Sequence, residues 1–470
     1  MNFKKLSAIA FVSTAILAGA SVLEAKPSWN AYSSSISITE DASDAVIAQV
    51  KEKFEGIKNA DYSKASLSLT EVSVEQALNV LKAFPNVNSI SLSKIHFTNL
   101  DFVKNLPNLT KLSFSADYKF EELLDISALT GNTNLVDVSF WSTKLKDLTP
   151  LSTCTNIKNL KIYMCFVDAK TISPLKTLVN LEDLSLYGTN IDDFSLLAPC
   201  TKLKKIDVYA TKPNEGAELD YSKLSEIKSL EEIHAGLTNK MTSVAFMKDL
   251  PKIRSIQFLG EDITDLETLE NSTIEKIRFW SHSKKIDGAK IGKAKTLKEL
   301  TLDGLYVMTN IDALGNLTNL KELYIKDIKD HNTPENAINT AMLENMKSLK
   351  KLVIEKVEIN DLSKTGENLE KISLYRVNTN NDKPFDVTTI VAPQLRELEI
   401  KEMKVSNIAS IVKSFPKLER VTIQKCEGIT NYDFLKDLPD KTSITLSKDA
   451  ISEDFKNELK DSKGIYVSMW

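Results

Sequence analysis

The chain has 470 residues, of which 42% are hydrophobic and 26% charged, and its formal net charge at pH 7 is −4. Acidic and basic residues are mixed along its whole length, and low-complexity content is slight. The sequence lacks the clustered basic face that nucleic-acid binding requires, so nucleic acid is excluded as the expected partner.

The first 25 residues, Met1–Ala25, have the pattern of a secretory signal. Lys4 and Lys5 supply its positive charge, and the apolar segment that follows is too short to span a bilayer as a stable helix. Small residues offer cleavage frames that end at Ala20 or at Ala25. We therefore expect an exported protein, in the periplasm, at the cell surface or in the medium, with no stable membrane span after cleavage. An uncleaved anchor and an intracellular scaffold are the alternatives.

One repeating pattern covers most of the chain, from Leu67 to Leu446, and is clearest in LEDLSLYGTNIDDFSLLAPC over Leu181–Cys200. With Leu181 as position 1, apolar residues fall at positions 1, 4, 6 and 11, and positions 3, 5 and 7 are more polar. That alternation is typical of a strand with one buried face. Position 1 recurs at Val87, Leu109, Leu135, Ile157, Leu181, Leu203, Leu230, Ile253, Ile274, Leu297, Leu320, Leu349, Leu369, Leu395 and Leu418. Such repetition predicts a solenoid, because no single unit can bury its apolar side alone.

The units resemble leucine-rich repeats of the short bacterial, internalin-like class. LEDLSLYGTNIDDFSLL, LVDVSFWSTKLKDLTPL, LTKLSFS, LKELTLDG and LKELYIKDI carry the resemblance. It implies an α/β fold: a right-handed curved coil with a parallel sheet on the concave side and short helices or 3-10 turns on the convex side. It also implies binding, but members of one fold do unrelated jobs, so no ligand is named.

Position 9 departs from that family, which commonly places Asn there to bond backbone groups in the turns. Here it is Thr143, Thr189 and Thr211 in the middle of the array, but Ile328 and Val357 later. Threonine can keep part of such a ladder, whereas the apolar residues cannot. We expect the later turns to be satisfied by backbone or water, because buried unpaired groups are costly.

The repeat array is assigned to residues 66–446, and both of its ends need caps. Residues 26–65 are the predicted N-terminal flank and cap, with a partly irregular Ser-rich stretch at 29–39 and a helix over 41–54. Residues 66–69 are predicted as a degenerate first strand, followed by a helix over 73–83. The C-terminal cap is 447–470, with a helix at 451–459 and a last strand at 465–469.

Four repeats are longer than the others, and their extra residues fall after the strand, at 117–124, 212–221, 329–342 and 379–386. Insertions at one phase of a repeat emerge along one rim, where they could form a loop-rich second site. Tolerated surface variation is the alternative interpretation, since long loops cost little stability.

Neither the four Cys nor the four His residues form a recognisable chemical motif. Cys154 and Cys200 lie two repeats apart, too far for a disulfide, and all four Cys are predicted to be small buried apolar residues. His234 near Glu232 is the least implausible catalytic candidate. No metal-ligand, nucleophile or dinucleotide motif is present. We expect no enzyme activity, no cofactor and no metal site.

Positions 3, 5 and 7 should point away from the core, because side chains alternate along a strand. Four consecutive repeats place an aromatic ring at position 7, which predicts an exposed column about 15 Å long. Polar residues flank it, and a further ring follows beyond Gly236. The predicted partner-binding residues on this concave face are Trp141, Tyr163, Tyr187, Tyr209, Trp280, Lys161, Asp183, Asp207, His234 and Arg278.

An exposed aromatic row on an exported repeat protein favours a protein or peptide partner. A saccharide-binding adhesin is the second hypothesis, because aromatic rings with polar neighbours also suit sugars. The third is a structural envelope protein without a discrete ligand, in which the rings simply stack on one another and shield the sheet.

Overall fold

A computed structural model describes residues 29–469 except 118–120, 214–218, 237–240, 242, 260–262, 281–284, 306, 329–340, 360–361 and 380–382. The predicted signal, Met1–Ala25, lies outside the described residues, as do parts of all four predicted insertions. The two interpretations of the inserted loops, a second site or tolerated surface variation, therefore both stay predictions.

Twenty strands form one continuous sheet. They are β1 (Trp29–Tyr32), β2 (Ser35–Thr39), β3 (Ser66–Thr70), β4 (Ser89–Ser93), β5 (Lys111–Ser115), β6 (Asp137–Trp141), β7 (Asn159–Tyr163), β8 (Asp183–Ser185), β9 (Lys205–Tyr209), β10 (Glu232–Gly236), β11 (Ser255–Leu259), β12 (Lys276–Trp280), β13 (Glu299–Asp303), β14 (Glu322–Lys326), β15 (Lys351–Glu355), β16 (Lys371–Tyr375), β17 (Glu397–Lys401), β18 (Arg420–Gln424), β19 (Ser443–Leu446) and β20 (Tyr466–Met469). The pair β1–β2 is antiparallel, and every later pair is parallel between successive strands.

Short helical segments return the chain from one strand to the next. The α-helices are Asp44–Glu55, Val74–Ala83, Gly288–Ile291, Ala341–Glu344, Ile411–Ser414 and Glu453–Lys463. The 3-10 segments are Tyr62–Lys64, Asp101–Asn105, Ser127–Leu129, Thr149–Thr153, Ser173–Thr177, Phe194–Leu197, Tyr221–Glu226, Ala245–Asp249, Leu266–Asn271, Ile311–Asn316, Val387–Thr389, Ile408–Ser410 and Asp433–Asp437. An Asp side chain begins several of them by accepting a hydrogen bond from the backbone two residues later, as Asp193 does from the Ser195 N–H at 2.8 Å.

A second, discontinuous set of very short strands lies along the edge where the long strands end, and we call this edge the rim. Its members are Leu123–Leu124, Lys144–Leu145, Phe166–Val167, Asn190–Ile191, Lys212–Pro213, Lys285–Asp287, Val307–Thr309, Glu358–Ile359, Asn378–Thr379, Phe385–Asp386 and Val405–Ser406. They pair in small parallel groups of two or three.

The hydrophobic core runs the length of the coil and contains the repeat leucines in the predicted phase. All fifteen residues at position 1 are at most 2% exposed, and those at positions 4 and 6 of the same repeats are buried with them. Leu181, Leu184 and Leu186 each have no exposed surface. The fold class and the phase of the repeats predicted from the sequence are confirmed.

The N-terminal segment contradicts one expectation. The Ser-rich stretch at 29–39 is not irregular but forms the β1–β2 hairpin, and β2 adds to the parallel sheet beside β3. Ile36 and Ile38 alternate with serines, so the stretch carries a strand period in which small hydroxyl residues cover the exposed face. The helix predicted over 73–83 is present, and Ser73 and Gln76 form its capping box.

The C-terminal elements are as predicted. The helix Glu453–Lys463 begins after Ser452, whose hydroxyl accepts from the Phe455 N–H, and ends at Gly464 in the left-handed conformation. Strand β20 then pairs with β19 and continues the sheet by one rung.

Most of the long strands whose position 8 the structure describes end there in a left-handed residue, whatever its side chain, and Ala116 is an exception. Met164, Lys356, Arg376 and Glu402 all have φ between 48° and 54°. Their N–H groups donate to the position-7 carbonyl of the next repeat, at 2.6 to 3.0 Å. A backbone bond thus holds the turn in early and late repeats alike, as we expected for repeats that lack a polar side chain at position 9.

Side-chain ladders supplement these backbone bonds. At position 9, the Thr189 hydroxyl donates to the Ile162 carbonyl at 2.7 Å and the Cys165 thiol to the Phe140 carbonyl at 3.3 Å. An asparagine ladder is also present, but immediately before position 1: each amide donates to a carbonyl of the preceding repeat, from Asn108, Asn134, Asn156, Asn180, Asn319 and Asn368.

The cysteines are free thiols, and Cys154, Cys165 and Cys200 are buried as predicted. Cys426 differs because it is half-buried. Burial raises the pKa of Cys165 to about 12 and that of Cys200 to about 11, so both stay protonated and unreactive at neutral pH.

Candidate binding surface

The four predicted aromatic residues meet in a single stack, which we call the aromatic column: Trp141, Tyr163, Tyr187 and Tyr209. Successive ring centroids are 4.3, 4.2 and 4.9 Å apart, and the planes of Tyr163 and Tyr187 differ by only 5°. All four side chains are half-buried. The sequence therefore located both the face and the neighbours of each ring.

Strand register produces the column. Positions 7 of β6 and β7 are paired, so Trp141 lies opposite Tyr163. Strand β8 ends at Ser185, and Tyr187 two residues later continues the row at the spacing of the strands. Ser115 pairs with Trp141 at one end and Gly236 pairs with Tyr209 at the other. Both end residues are small, so the column stops where the large side chains stop.

A polar cluster lies beside the column at positions 3 and 5. Asp207 accepts hydrogen bonds from the Tyr209 N–H at 3.1 Å and from the Ser185 hydroxyl at 3.3 Å. Burial raises the pKa of Asp207, although these bonds and the nearby His234 oppose the shift. The column is thus bordered by a fixed hydrogen-bond acceptor.

His234 belongs to this cluster but is held by its own strand. Its Nε2 lies 2.6 Å from Glu232, and Lys205 lies 3.2 Å from the same carboxylate. The hydrogen bond from His234, together with Lys205, lowers the pKa of Glu232 to about 2. Glu232 therefore remains ionised and contacts both His234 and Lys205 at the border of the column.

A shallow groove of about 340 Å³ lies across strands β4 to β8, at positions 3 to 5 of the repeats. Four of its twelve lining residues are serines, and its far edge carries Lys161 and Asp183. Within it, Asp137 bonds Asn159 and pairs with Lys111 at 2.9 Å. Lys161 and Asp183 thus border this groove while Asp207 and His234 lie near the other end of the column.

The structure does not bring Trp280 and Arg278 into the column. Three strand intervals separate Trp280 from Tyr209, which is about 14 Å. Trp280 is 45% exposed, and Arg278 lies 3.8 Å from Glu299. These two residues form a separate feature of the same face.

The sequence analysis missed an apolar extension of the column onto the rim. Leu123, Met164 and Phe166, which we call the rim patch, are 40%, 51% and 44% exposed. Leu123 and Phe166 both pair in register with Lys144 on the rim sheet, so these two apolar side chains flank Lys144. Of the eight large apolar side chains that are exposed among the described residues, three belong to this patch.

Met164 connects the rim patch to the column. It directly follows Tyr163, and its N–H donates to the Tyr187 carbonyl at 2.6 Å. Its sulfur lies against Gly188, where an added Cβ would come within 2.6 Å of it. Gly188 has φ of 64° and no side chain, which permits this contact. The sequence signal for the exposure of Met164 was its place at position 8, where a left-handed backbone turns the side chain outward.

The last third of the face is ionic rather than aromatic. Lys371 pairs with Glu397 at 2.7 Å, and Lys326 pairs with Glu355 at 3.3 Å. These side chains are partly exposed, and ion pairs that water reaches usually contribute little to stability.

The described residues contain no group of three or more His, Cys, Asp or Glu side chains placed to hold a metal ion. In the same part of the chain, none of the helices has both the length and the apolar character that a membrane crossing requires.

Comparison with solved structures addresses the fold. An internalin (inlF) from Listeria monocytogenes matches with a TM-score of 0.53 and 19% identity, over 70% of this chain and 94% of the internalin. The chain is a leucine-rich-repeat solenoid. At this identity the likeness concerns the fold alone.

Two further structures match the solenoid at TM-scores below 0.5, and the assignment does not rest on them. The plant peptide hormone receptor RGFR1 in complex with RGF2 has a TM-score of 0.44 and 16% identity, over 87% of this chain and 67% of the receptor. A leucine-rich-repeat protein from Leptospira interrogans has a TM-score of 0.42 and 14% identity, over 88% and 94%. No family model matches the sequence, and no curated protein matches it.

Proposed function

We propose that this solenoid is a binding module, not an enzyme, and that it recognises a protein or peptide segment through the aromatic column and the rim patch. One observation carries the proposal: four half-buried rings stack in one column on one face of the sheet, and Leu123, Met164 and Phe166 expose apolar surface on the neighbouring rim. Exposed apolar surface of this kind on a water-exposed protein is typical of a partner site.

The chemistry of the surface suits a polypeptide. Burial and the neighbouring phenols raise the pKa of Tyr187 above its ordinary value, so it stays a neutral hydrogen-bond donor and acceptor. Tyr and Trp offer large contact areas with few torsions to immobilise, and they are common at binding hot spots. Asp207 and Lys161 beside the rings would fix the orientation of a bound chain.

The stacking geometry argues against a saccharide as the first choice. A sugar packs on the flat face of a ring, but neighbouring rings at 4.2 to 4.9 Å cover the inner faces of the column. Only the outer faces of Trp141 and Tyr209 are not covered by another ring of the column. What the column presents along its length is ring edges and phenol hydroxyls, which suit peptide groups better than sugar faces.

The test is selection of peptides from a random display library against the purified protein, followed by affinity measurement. We expect the double variant Tyr163→Ala/Tyr187→Ala to bind the selected peptides at least tenfold more weakly, since each hot-spot ring is worth about 2 kcal/mol or more. Tyr375→Ala is the matched control. Tyr375 is also at position 7 and half-buried, but its register partners are Glu355 and Lys401.

Equal affinity of the wild type and the double variant for every selected peptide would contradict the proposed site. A glycan array in which sugars bind and lose binding in the double variant would favour the saccharide hypothesis instead. If neither library yields a ligand, the third hypothesis, a structural protein whose rings only shield the sheet, becomes the better account.

Export is the second part of the proposal, and it depends on the signal pattern of Met1–Ala25. We expect N-terminal sequencing of the protein from its native source to begin at Ser21 or at Lys26, directly after one of the two cleavage frames. A chain that retains Met1 and stays in the cytoplasm would support the intracellular scaffold alternative.

A further inference from the structure

The methionines of the described residues differ sharply in the exposure of their side chains. Met164 is 51% exposed, whereas Met469 is half-buried. The others are at most 6% exposed, and they are Met241, Met247, Met308, Met342, Met346 and Met403. In the described part of the chain, Met164 is therefore the thioether that a reagent dissolved in water reaches most easily.

The cysteines do not compete with Met164 for an oxidant. Cys165 follows Met164 directly, but its thiol is buried and donates to the Phe140 carbonyl at 3.3 Å, and burial raises its pKa to about 12. Burial also raises the pKa of the half-buried Cys426. Thiols react with peroxides as thiolates, which these residues scarcely form at neutral pH. A thioether needs no deprotonation, so Met164 reacts where the thiols do not.

The surroundings of Met164 give its oxidation a consequence for binding. Met164 belongs to the rim patch with Leu123 and Phe166, and its backbone N–H donates to the carbonyl of Tyr187 in the aromatic column at 2.6 Å. Its sulfur lies so close to Gly188 that a Cβ added there would come within 2.6 Å of it. An oxygen added to the sulfur has no room on that side, so it points to the open side of the patch.

We propose that Met164 is a selective oxidation site and that its conversion to the sulfoxide switches off partner binding at the rim patch. The switch rests on the function proposed above. Hydrogen peroxide is the oxidant: the sulfur forms an S–O bond as the O–O bond breaks, and the other oxygen leaves as water with both protons. The sulfur loses two electrons, which reduce the peroxide. A polar group then stands in place of an apolar one.

The fold tolerates this change because the backbone alone makes the turn at position 8. The N–H of Met164 keeps its bond to the Tyr187 carbonyl whatever the side chain carries, and other repeats place lysine, arginine or glutamate at this position. Binding therefore falls without unfolding. The change is also reversible, because a methionine sulfoxide reductase regenerates the thioether. In that step two thiols of the reductase become a disulfide, and the oxygen leaves as water.

The oxidation site is tested without any ligand. The full-length protein is treated with dilute hydrogen peroxide, and its methionine sulfoxides are mapped by mass spectrometry of peptides. We expect the oxidised fraction of Met164 to exceed that of each buried methionine at least tenfold, with Met469 in between. Equal oxidation of Met164 and the buried methionines in the folded protein would overturn the site, whatever the protein binds.

The switch is tested with the peptides selected by display against the untreated protein. Oxidised wild type should bind them at least fivefold more weakly, and the two reductases, one for each sulfoxide epimer, should restore the affinity. Met164→Leu should show no further loss of its own affinity after peroxide treatment. The matched control Met469→Leu should remain as sensitive to peroxide as the wild type. Met164→Gln, which carries a permanent polar group, should bind weakly before any treatment.

Two results would overturn the switch and leave the binding proposal intact. Either Met164 is oxidised and the affinity is unchanged, or Met164→Leu loses affinity on oxidation as the wild type does. A changed circular dichroism spectrum of the oxidised protein would also overturn it, because the lost affinity would then reflect unfolding. If display yields no peptide for the untreated protein, the proposed function fails, while the peptide map still decides whether Met164 is the oxidation site.

Discussion

Asn190→Ala is expected to lower the free energy of unfolding by about 2–4 kcal/mol, measured by urea denaturation, because the change leaves buried backbone groups without partners. The Asn190 amide accepts from the Val167 N–H at 2.7 Å and donates to the Val167 carbonyl at 2.9 Å. Asn190 is only 8% exposed. Its side chain therefore occupies the place of a strand between two rim sheets.

The position of these hydrogen bonds explains why we expect their loss to reduce stability so much. The rim strand Phe166–Val167 pairs with Lys144–Leu145 on one side, and Asn190–Ile191 pairs with Lys212–Pro213 in a different group. The Asn190 side chain joins the two groups directly under the rim patch. Its loss would loosen the support of Phe166 as well as reduce stability.

Asn180→Ala is the matched control for this experiment. The Asn180 amide donates one hydrogen bond, to the Thr155 carbonyl at 2.9 Å, at a solvent-accessible site. Water can replace that bond, so we expect a loss of about 0.5–1 kcal/mol. Similar decreases in the free energy of unfolding for the two variants would contradict this prediction. They would show that the buried hydrogen bonds of Asn190 contribute no more than the exposed one of Asn180.

Phe279→Ala is expected to cost about 3–5 kcal/mol and to weaken the contact between the two halves of the array. Phe279 has no exposed surface, and its ring stacks on that of Phe258 at 5.2 Å. Both rings occupy position 6 of adjacent repeats, near the middle of the chain. A cavity here would be shared by neighbouring repeats.

Repeat arrays are stabilised by contacts between neighbouring repeats. When a central contact is weakened, the two halves of the array can unfold separately. We expect hydrogen exchange to show protection falling most at β11 and β12 and urea unfolding to broaden or divide into two steps. Phe279→Leu, which keeps most of the volume, should cost less than about 1.5 kcal/mol. One sharp transition for Phe279→Ala with unchanged exchange at β11 and β12 would contradict this prediction.

The sequence predicted the parts of the structure that a short period controls. The spacing of Leu181, Leu184 and Leu186 defined the buried face, and the same register assigned Trp141 and Tyr163 to one exposed row. These assignments needed only strand alternation and the repeat length, because both act between residues that are near in sequence or equivalent in neighbouring repeats.

What the sequence did not predict depends on contacts between repeats. Asn190 stands one place after the expected ladder position, and its role appears only when Val167 of the preceding repeat lies beside it. The outward direction of Met164 follows from its left-handed backbone, for which its residue type gives no signal. The serines of Ser35–Thr39 predict a partly irregular stretch, because they obscure the strand alternation of its two buried isoleucines.

The left-handed turn at position 8 has an evolutionary consequence. Because the backbone alone makes the bond to the next repeat, methionine, lysine, arginine and glutamate all serve there in different repeats. Each repeat can therefore exchange one outward side chain, about 4.8 Å from the next, at little cost to the coil. Point mutations along this single row could convert an apolar edge into a cationic one. New binding specificities can therefore arise without changes to the fold.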